Sequence, residues 1–312
     1  MRFNSLNIGL LITSIFILTV FFLSGCGEKQ EEMNQKAEKD NKKVFQEIKI
    51  GIVADIHKCS REDFDSIPKE VLDGFISELN LIDLDFNVNL GDVVNYRVGE
   101  CSKNALEDFN LIFDTFNNAK APFYSVLSDH DVSNRESLNL YLDKCGLTKT
   151  YYALVSKDYQ IIFLDTTLGG AKKESTPLTK EEKDAWDQGK ISIEQVNWLK
   201  NVLENSNQKR VIIFSGHPLF TFEKNNLKTG KVKKYGIKNT EEIIKILKDS
   251  NKEIVAVTGD VHQWLEKKED NIQFYVIDTF KYSNWSWSIL EWDDEGCEFK
   301  KRKLEKDSII LP

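Results

Sequence analysis

The chain has 312 residues, of which 41% are hydrophobic and 29% are charged, and it carries a formal net charge of −8 with a pI near 5.3. This acidic balance argues against a protein that binds nucleic acid generically, because that activity needs a basic face. The length is sufficient for a substantial core, and neither an internal repeat nor a Gly/Ser linker divides it.

The first 26 residues have the pattern of an export signal. Arg2 supplies positive charge, residues 8–23 form an apolar run of 16 residues, and the run closes with Leu-Ser-Gly and Cys26. A transmembrane helix needs about 20 apolar residues, so this run is better interpreted as a signal-peptide core. The closing residues resemble a bacterial lipoprotein box, which implies that Cys26 is lipidated and becomes the mature N-terminus. A bare membrane anchor is the alternative.

A charged segment follows this signal. Residues 28–43 are rich in Glu, Lys, Gln and Asn and have no apolar periodicity, so they cannot bury enough apolar surface to offset the entropy of ordering. We therefore predict a signal peptide over residues 1–25, a lipid-anchored flexible tether over 26–45 and one globular domain over 46–306. The expected location is the extracytoplasmic face of a bacterial cell membrane.

Five apolar runs in the domain predict buried strands, and each run leads into polar residues. The runs are 48–57, 85–90, 123–127, 211–214 and 254–257, and their polar ends are Asp55 with His57, Asp92, residues 128–131, His217, and residues 259–262. All four histidines of the chain belong to these ends. Because ligands of open α/β sheets bind outside the carboxyl ends of the strands, we expect the five ends to converge.

Apolar residues at helical spacing lie between these runs. They predict helices over residues 69–81, 104–118, 192–203 and 240–247, with Ser192 as an N-cap. Strands without helices are predicted afterwards, over residues 272–278, 285–292 and 298–304. This order predicts an α/β fold with a largely parallel core.

The polar ends form an ordered series of motifs. They are Asp-x-His at 55–57, Gly-Asp at 91–92, a variant of Gly-Asn-His-Asp at 128–131, Gly-His at 216–217 and a variant of Gly-His-x-His at 259–262. This series resembles the calcineurin-like metallophosphoesterase family, which includes purple acid phosphatases and cyclic-nucleotide phosphodiesterases. The likeness implies a layered αββα sandwich whose strands carry metal ligands at their C-terminal ends.

The resemblance also implies two divalent cations and a phosphate mono- or diester as substrate. The first cation would be bound by Asp55, His57, Asp92 and His262, and the second by Asp129, His217 and Asp260 with Asp92 as a shared bridge. His130 would stabilise the transferring phosphoryl group or protonate the leaving oxygen, and Asp131 would orient it. Two cations clamp the attacking and leaving oxygens and lower the pKa of bound water, so hydrolysis is expected.

Two ligand positions depart from the family pattern. Asp129 stands where the family has Asn, and Asp260 stands where it has the first His of Gly-His-x-His. The centre would then contain four carboxylates instead of two. The second position becomes oxygen-rich, which favours Mn²⁺, Mg²⁺ or Ca²⁺ there, with Fe or Zn at the first position. Ser128 replaces a family Gly, which predicts a turn without positive φ.

Cationic residues near the motifs are candidates for substrate binding. Lys58 adjoins His57, and Arg97 follows the Gly-Asp motif. Either cation could contact a substrate phosphate, and a solvated basic surface is the alternative. The long polar segment 166–189 is a candidate lid or specificity loop.

Four cysteines remain besides Cys26, namely Cys59, Cys101, Cys145 and Cys297. In an exported protein this even number allows two disulfides with three connectivities. Cys59 and Cys101 closely follow the first two motifs, so we expect a Cys59–Cys101 disulfide. Free thiols are the alternative.

Two interpretations of the function follow. The first is a membrane-anchored hydrolase that acts on a phosphorylated small molecule or lipid outside the membrane. The second is a lipoprotein that keeps the fold but has lost turnover and serves as a binding or envelope-structural protein. His130 and His217 favour the enzyme, because a binding module has little need of a histidine poised over metals. The additional carboxylates favour the second interpretation.

Overall fold

The computed structural model describes residues 45–60, 67–95, 104–132, 135–167, 188–225 and 232–304. Their helices are α1 (Lys69–Leu79), α2 (Ala105–Phe116), α3 (Arg135–Lys144), α4 (Ile193–Asn205) and α5 (Thr240–Asp249). Their strands are β1 (Ile48–Val53), β2 (Phe86–Asn89), β3 (Phe123–Ser125), β4 (Tyr152–Ser156), β5 (Tyr159–Leu164), β6 (Arg210–Ser215), β7 (Phe222–Asn225), β8 (Val232–Tyr235), β9 (Glu253–Thr258), β10 (Leu265–Glu269), β11 (Ile272–Val276), β12 (Ser286–Trp292) and β13 (Cys297–Lys303). Among these residues, no helix is long and apolar enough to cross a membrane.

The strands form two main sheets and a hairpin. The first sheet has the order β13-β12-β1-β2-β3, the second has the order β10-β11-β9-β6-β5-β4, and β7 and β8 form a two-stranded sheet. The strands β1, β2 and β3 are parallel to one another, as are β5, β6, β9 and β11. Parallel neighbours end at the same edge of a sheet, so the motifs that follow β1, β2 and β3 share one edge and those that follow β6 and β9 share another.

Side chains from both main sheets pack into one buried layer. Ile50 and Val88 of the first sheet belong to the same apolar cluster as Phe163, Phe214 and Val257 of the second. Successive side chains of a strand point to opposite faces, so each sheet also has an apolar outer face. Each fully buried side chain of this size contributes about 1.5–3 kcal/mol to stability.

Helices cover both outer faces. Phe75 of α1, Phe109 of α2 and Tyr141 of α3 pack with Trp287 and Ile289 of β12. On the second sheet, the buried cluster joins Leu199 of α4 and Ile243 of α5 to Ile213 and Ala256. The predicted layered αββα architecture is therefore confirmed.

The predicted helices and strands are present, with ends that differ by a few residues. Ser192 caps α4 as expected, because its Oγ accepts the backbone N–H of Gln195 at 3.2 Å. The helix α3 was not predicted, since its sequence is mostly polar and its apolar residues give only a weak helical period. The edge strand β10 also escaped prediction, because its sequence Leu-Glu-Lys-Lys-Glu is mainly charged.

The cysteines are only partly described. Cys59 is disulfide-bonded, whereas Cys145 and Cys297 are free thiols. The predicted partner, Cys101, lies outside the described residues, as do Cys26, Arg97 and most of the candidate lid. The Cys59–Cys101 pairing and the limits of the three predicted segments stay predictions.

Candidate metal centre

The predicted ligands come together at the carboxyl ends of β1, β2, β6 and β9 and in the turn after β3. Their side chains form three groups in which one ligand atom of each residue lies within 4.8 Å of the others. The groups are Asp55 with His57 and His262, Asp129 with His217 and Asp260, and Asp92 with Asp129 and His130. Each of the seven predicted ligands thus belongs to a cluster that could hold a cation.

The first group has the geometry of a cation site. The Nε2 atoms of His57 and His262 lie 3.0 Å apart, and His262 Nε2 lies 3.7 Å from Asp55 Oδ1. His57 Nε2 also lies 3.7 Å from Asp92 Oδ2. Two imidazoles that bind one cation at about 2.1 Å and at a right angle place their nitrogens about 3 Å apart. The spacing of His57 and His262 fits that arrangement.

The histidines of the first group are held in the neutral form that binds metals. Burial lowers the pKa of His57 to about 3, although the neighbouring Asp92 carboxylate acts in the opposite direction. Burial likewise lowers the pKa of His262. A neutral imidazole keeps a lone pair for coordination, so neither ring needs to lose a proton near pH 7.

The second group contains a histidine that is oriented by the protein. His217 Nδ1 lies 2.7 Å from the Thr166 hydroxyl oxygen, and the buried Nε2 atom has no hydrogen-bond partner. Metal-binding histidines typically engage a protein group through the second nitrogen in this way. Gly189 is needed beside the ring, because its φ is +77° and a Cβ there would lie 2.8 Å from His217 Cγ.

Unsatisfied buried atoms point to cations in both groups. Asp55 Oδ2 in the first group and His217 Nε2 in the second are buried without a hydrogen-bond partner. Buried polar atoms are normally satisfied, and an ion is one way to satisfy them. A cation in each group would supply the missing contact, so the side chains fit the two metals that this architecture implies.

Asp92 lies where a shared ligand is expected. Its Oδ2 lies 3.7 Å from His57 Nε2 on the side of the first group, and the side chain clusters with Asp129 of the second. Burial alone would raise the pKa of Asp92, but His130, His57 and hydrogen bonds lower it to about 2. The carboxylate is therefore ionised near neutral pH.

His130 lies over the centre and is oriented by a residue that the sequence did not indicate. Its ring is 4.9 Å from the ring of His57, and its backbone N–H donates to Asp92 Oδ1 at 3.1 Å. His130 Nδ1 lies 2.6 Å from Asn95 Oδ1. An amide oxygen only accepts, so this contact assigns the Nδ1 proton to His130. The position of this polar residue, three residues after Asp92 of the Gly-Asp motif, is the sequence feature that could have identified Asn95.

The predicted role of Asp131 requires correction. Instead of orienting His130, its carboxylate accepts the backbone N–H groups of Asp92 at 3.0 Å, Val93 at 2.8 Å and Ser128 at 3.0 Å. Burial and the charge of Asp92 raise the pKa of Asp131 to about 8. Asp131 therefore joins the loop after β2 to the turn after β3.

The backbone at this turn is as the sequence predicts. Ser128 is not among the residues with positive φ. Its side chain instead packs against the Gly91 position, where a Cβ would lie 2.4 Å from Ser128 Cβ and where φ is +93°. Glycine at 91 is thus required twice, for its conformation and for the space that Ser128 occupies.

The motifs, the αββα layers and the clustered ligands together describe one known family. The family model for the calcineurin-like phosphoesterases matches residues 48–264. The chain belongs to this family. No curated protein matches it in sequence.

Solved structures show the same fold at low sequence identity. A dimetal phosphatase from Danio rerio is 13% identical, with a TM-score of 0.61 over 83% of this chain and 99% of that one. GAP50, the anchor in the inner membrane complex of Plasmodium, is 15% identical, with a TM-score of 0.53 over 85% and 87%. A purple acid phosphatase from yellow lupin seeds is 13% identical, with a TM-score of 0.53 over 86% and 56%.

Lys58 does not have the substrate-binding role that was predicted for it. Lys58 is only 5% exposed, and its ammonium group donates to the Ile67 carbonyl at 2.9 Å and lies 3.9 Å from the buried Asp108. The substrate-binding role predicted for Lys58 is therefore wrong, because the side chain is buried and hydrogen-bonds within the loop after β1. Arg97, the other predicted cation, lies outside the described residues.

Two other lysines contact the loops that carry the ligands. Lys224 donates a hydrogen bond of 3.0 Å to the carbonyl of Val261, the residue that separates Asp260 from His262 in the sequence. Lys281 is 6% exposed and donates to the His57 carbonyl at 3.4 Å. Their positive charges lie close to a centre with four carboxylates, and Lys281 gave no sequence signal because it follows no motif.

Proposed function

We propose that this protein hydrolyses a phosphate ester at a centre of two divalent cations. The observation that carries the proposal is the pair of ligand groups around Asp92, each with a buried, unsatisfied ligand atom, Asp55 Oδ2 in one and His217 Nε2 in the other. Membership of a phosphoesterase family supports the same reaction.

The protein's own residues would divide the work as follows. Two divalent cations, when bound, would polarise the phosphate and lower the pKa of a water molecule. His130, whose Nδ1–H is held by Asn95, would use Nε2 to donate a proton to the leaving oxygen. The carboxylates and imidazoles would hold the two cations in fixed positions, so that a phosphate bound to the cations would have one orientation, and such positioning is a large part of phosphoryl-transfer catalysis.

The two positions would differ in the metals that they favour. The first group contributes one carboxylate and two imidazoles, whereas the second contributes two carboxylates and one imidazole, and Asp92 is shared. Oxygen ligands suit Mn²⁺, Mg²⁺ and Ca²⁺, while imidazoles suit Zn and Fe. We therefore assign Mn²⁺, Mg²⁺ or Ca²⁺ to the second position and admit Fe or Zn at the first.

We also propose that the enzyme is a lipoprotein on the outer side of the cell membrane. The pattern that ends in Leu-Ser-Gly and Cys26, followed by a charged tether, supports this location. A phosphorylated small molecule or a lipid would be the substrate there. Replacement of Cys26 by Ser should release the protein from the membrane fraction, and incorporation of labelled fatty acid should disappear. Unchanged membrane retention in Cys26→Ser would contradict lipid anchoring.

A second function has its own support. The additional carboxylates Asp129 and Asp260 reduce the positive charge of a loaded centre, which weakens attraction for an anionic phosphate. A structure with the same fold, GAP50, is described as an anchor. The alternative is therefore a catalytically impaired lipoprotein that binds a partner or supports the envelope.

An activity panel separates the two functions. Metal-stripped protein would be assayed with chromogenic phosphomonoesters and phosphodiesters after addition of Mn²⁺, Mg²⁺, Ca²⁺, Zn²⁺ or Fe²⁺. We expect turnover in the wild type, a decrease in kcat of about 10²–10⁴-fold in His130→Ala, and at least as large a loss in Asp92→Asn. Asp249→Asn, on the exposed end of α5, is the control. Absence of turnover in every metal would favour the binding protein.

A further inference from the structure

One exposed aromatic residue lies beside the metal centre. The turn between β11 and β12 places Tyr282 at the surface with 54% of the residue exposed, while its neighbours Phe280 and Lys281 are buried. Exposure of an aromatic ring to water is unfavourable, and a ligand that covers the ring recovers that free energy. Tyr282 has no part in the metal groups or in the proton transfer described above.

The ring of Tyr282 lies over the ligands of the first group. Its centroid is 5.3 Å from that of His262 and 6.2 Å from that of His57, with both imidazoles tilted by 40° to it. A phosphate held between the two groups must direct its ester substituent toward solvent, past the partly exposed ligands His262 and Asp260, because the other five ligands are buried. Tyr282 therefore lies along a path that this substituent would take.

Several contacts fix the position of this ring. The turn is attached to the segment that carries Asp55 and His57 by Phe280 N–H, which donates to the Ala54 carbonyl at 2.8 Å, and by Thr279 Oγ, which donates to the Asp55 carbonyl at 2.9 Å. The Lys281 ammonium group lies 5.5 Å from the Tyr282 ring centroid and donates to the His57 carbonyl. The ring is thus placed relative to the metal ligands before any substrate binds.

We propose that Tyr282 binds the organic part of the substrate and selects a planar aromatic group, such as a nucleobase, on the phosphate ester. This inference rests on the proposed phosphoesterase function. A planar group needs one exposed ring face for stacking, whereas an acyl chain needs a continuous apolar surface. The other large exposed apolar residues of the described chain are Leu81, Leu106, Val155, Ile193 and Val232, none of which is aromatic. Among the residues that the structure describes, Tyr282 is thus the one large exposed apolar residue with a ring, and it lies beside the centre.

The test compares two ligands that differ only by the base. Adenosine 5′-monophosphate and ribose 5-phosphate share a phosphate and a ribose, so the ratio of their dissociation constants from Mn²⁺-loaded protein isolates the contribution of adenine. Both are used as phosphonate analogues, in which a methylene group replaces the bridging ester oxygen, so that turnover does not consume them. We expect the wild type to bind the nucleotide about tenfold more tightly. Tyr282→Ala should reduce this ratio to about one, Tyr282→Phe should retain it, and Val155→Ala, at a residue of similar exposure (57%), should match the wild type.

Three outcomes would overturn the proposal. A wild type without preference for the nucleotide would exclude an adenine-binding role, and equal loss of both ligands in Tyr282→Ala would indicate a structural role. Octyl phosphate that binds as tightly as the nucleotide would favour a lipid substrate. Calorimetric binding needs no turnover, so an inactive protein that keeps the Tyr282-dependent ratio would reject hydrolysis while leaving this inference intact.

Discussion

Most of the clustered ligands have an unusual backbone conformation. Asp55, His57, Asp92, Asp260 and His262 all have positive φ, between +46° and +69°. A left-handed conformation costs about 1–2 kcal/mol for a residue with a side chain. Hydrogen bonds between the loops offset this cost, since His57 N–H donates to the Asp92 carbonyl at 2.7 Å and Asp260 N–H donates to Asp55 Oδ1 at 3.0 Å. The ligand loops therefore hold one another in the strained form.

The contact between Asn95 and His130 predicts a change in pH dependence. In Asn95→Asp a carboxylate would replace the amide oxygen and stabilise the protonated imidazole. A general acid is lost as pH rises through its pKa, so the alkaline limb of the kcat profile should move to higher pH by about one unit. Profiles of kcat against pH for both proteins would test this.

Asn95→Leu is the companion variant, because it removes the acceptor without adding charge. We expect about a tenfold lower kcat and no alkaline shift. Superimposable profiles for all three proteins would contradict the assignment of Asn95 as the residue that positions His130.

The carboxylate at position 260 predicts the metal preference. In Asp260→His an imidazole would replace an oxygen ligand in the second group, so the affinity for Zn²⁺ should rise relative to the affinity for Mn²⁺. We expect the ratio of their affinities to change by at least about tenfold, measured by calorimetric titration of metal-stripped protein. Asp129→Asn keeps an oxygen ligand and is the control. If Zn²⁺ were the best activator of the wild type while Mn²⁺, Mg²⁺ and Ca²⁺ were inert, the oxygen-rich assignment would fail.

At the scale of the elements, parallel strands position the ligands and Asp131 joins their loops. Asp131 accepts three backbone N–H groups from two loops and is 1% exposed. Asp131→Ala would leave these donors buried without acceptors, and we expect the free energy of unfolding to fall by about 3 kcal/mol. Urea unfolding of metal-free protein would measure the change.

A substitution at a surface aspartate is the control, because it removes a carboxylate without removing hydrogen bonds to the ligand loops. Asp249 at the end of α5 pairs only at the surface with Lys245, and Asp249→Ala should change stability by no more than about 0.5 kcal/mol. Equal effects of the two substitutions would show that the loop hydrogen bonds of Asp131 contribute little.

Across the whole molecule, the packed layers determine how the free thiols react. Burial raises the pKa of both Cys145 and Cys297 from 9.0 to about 12. A raised pKa means less thiolate at a given pH, so near pH 8 alkylation in the folded protein should be about a thousandfold slower than in urea. Iodoacetamide labelling followed by site-resolved mass spectrometry would measure both rates. Rapid native labelling of either cysteine would contradict the raised pKa of its thiol.

The sequence pattern alone predicted a layered α/β fold and polar strand ends that converge, because both are encoded locally, whereas the αββα arrangement and the assignment of ligands came from the resemblance to the family. Apolar runs that end in Asp-x-His or Gly-Asp indicate where strands end, and apolar residues at helical spacing indicate the helices between these strands. The polar ends of β1 and β2 could be expected to meet, as could those of β6 and β9, because parallel strands of one sheet finish at a common edge.

The neighbour that each polar group contacts is set by the packing of the folded chain and could not be read from the sequence. Asp131 accepts the N–H groups of Asp92 and Val93, Asn95 contacts His130, and Lys58 lies beside Asp108, because each of these partners comes from a segment remote along the chain. Tyr282 follows no motif, and its place beside His262 depends on how β11 and β12 connect the two sheets. Hydrogen bonds act over about 3 Å, and distances of that size across the fold are set by packing.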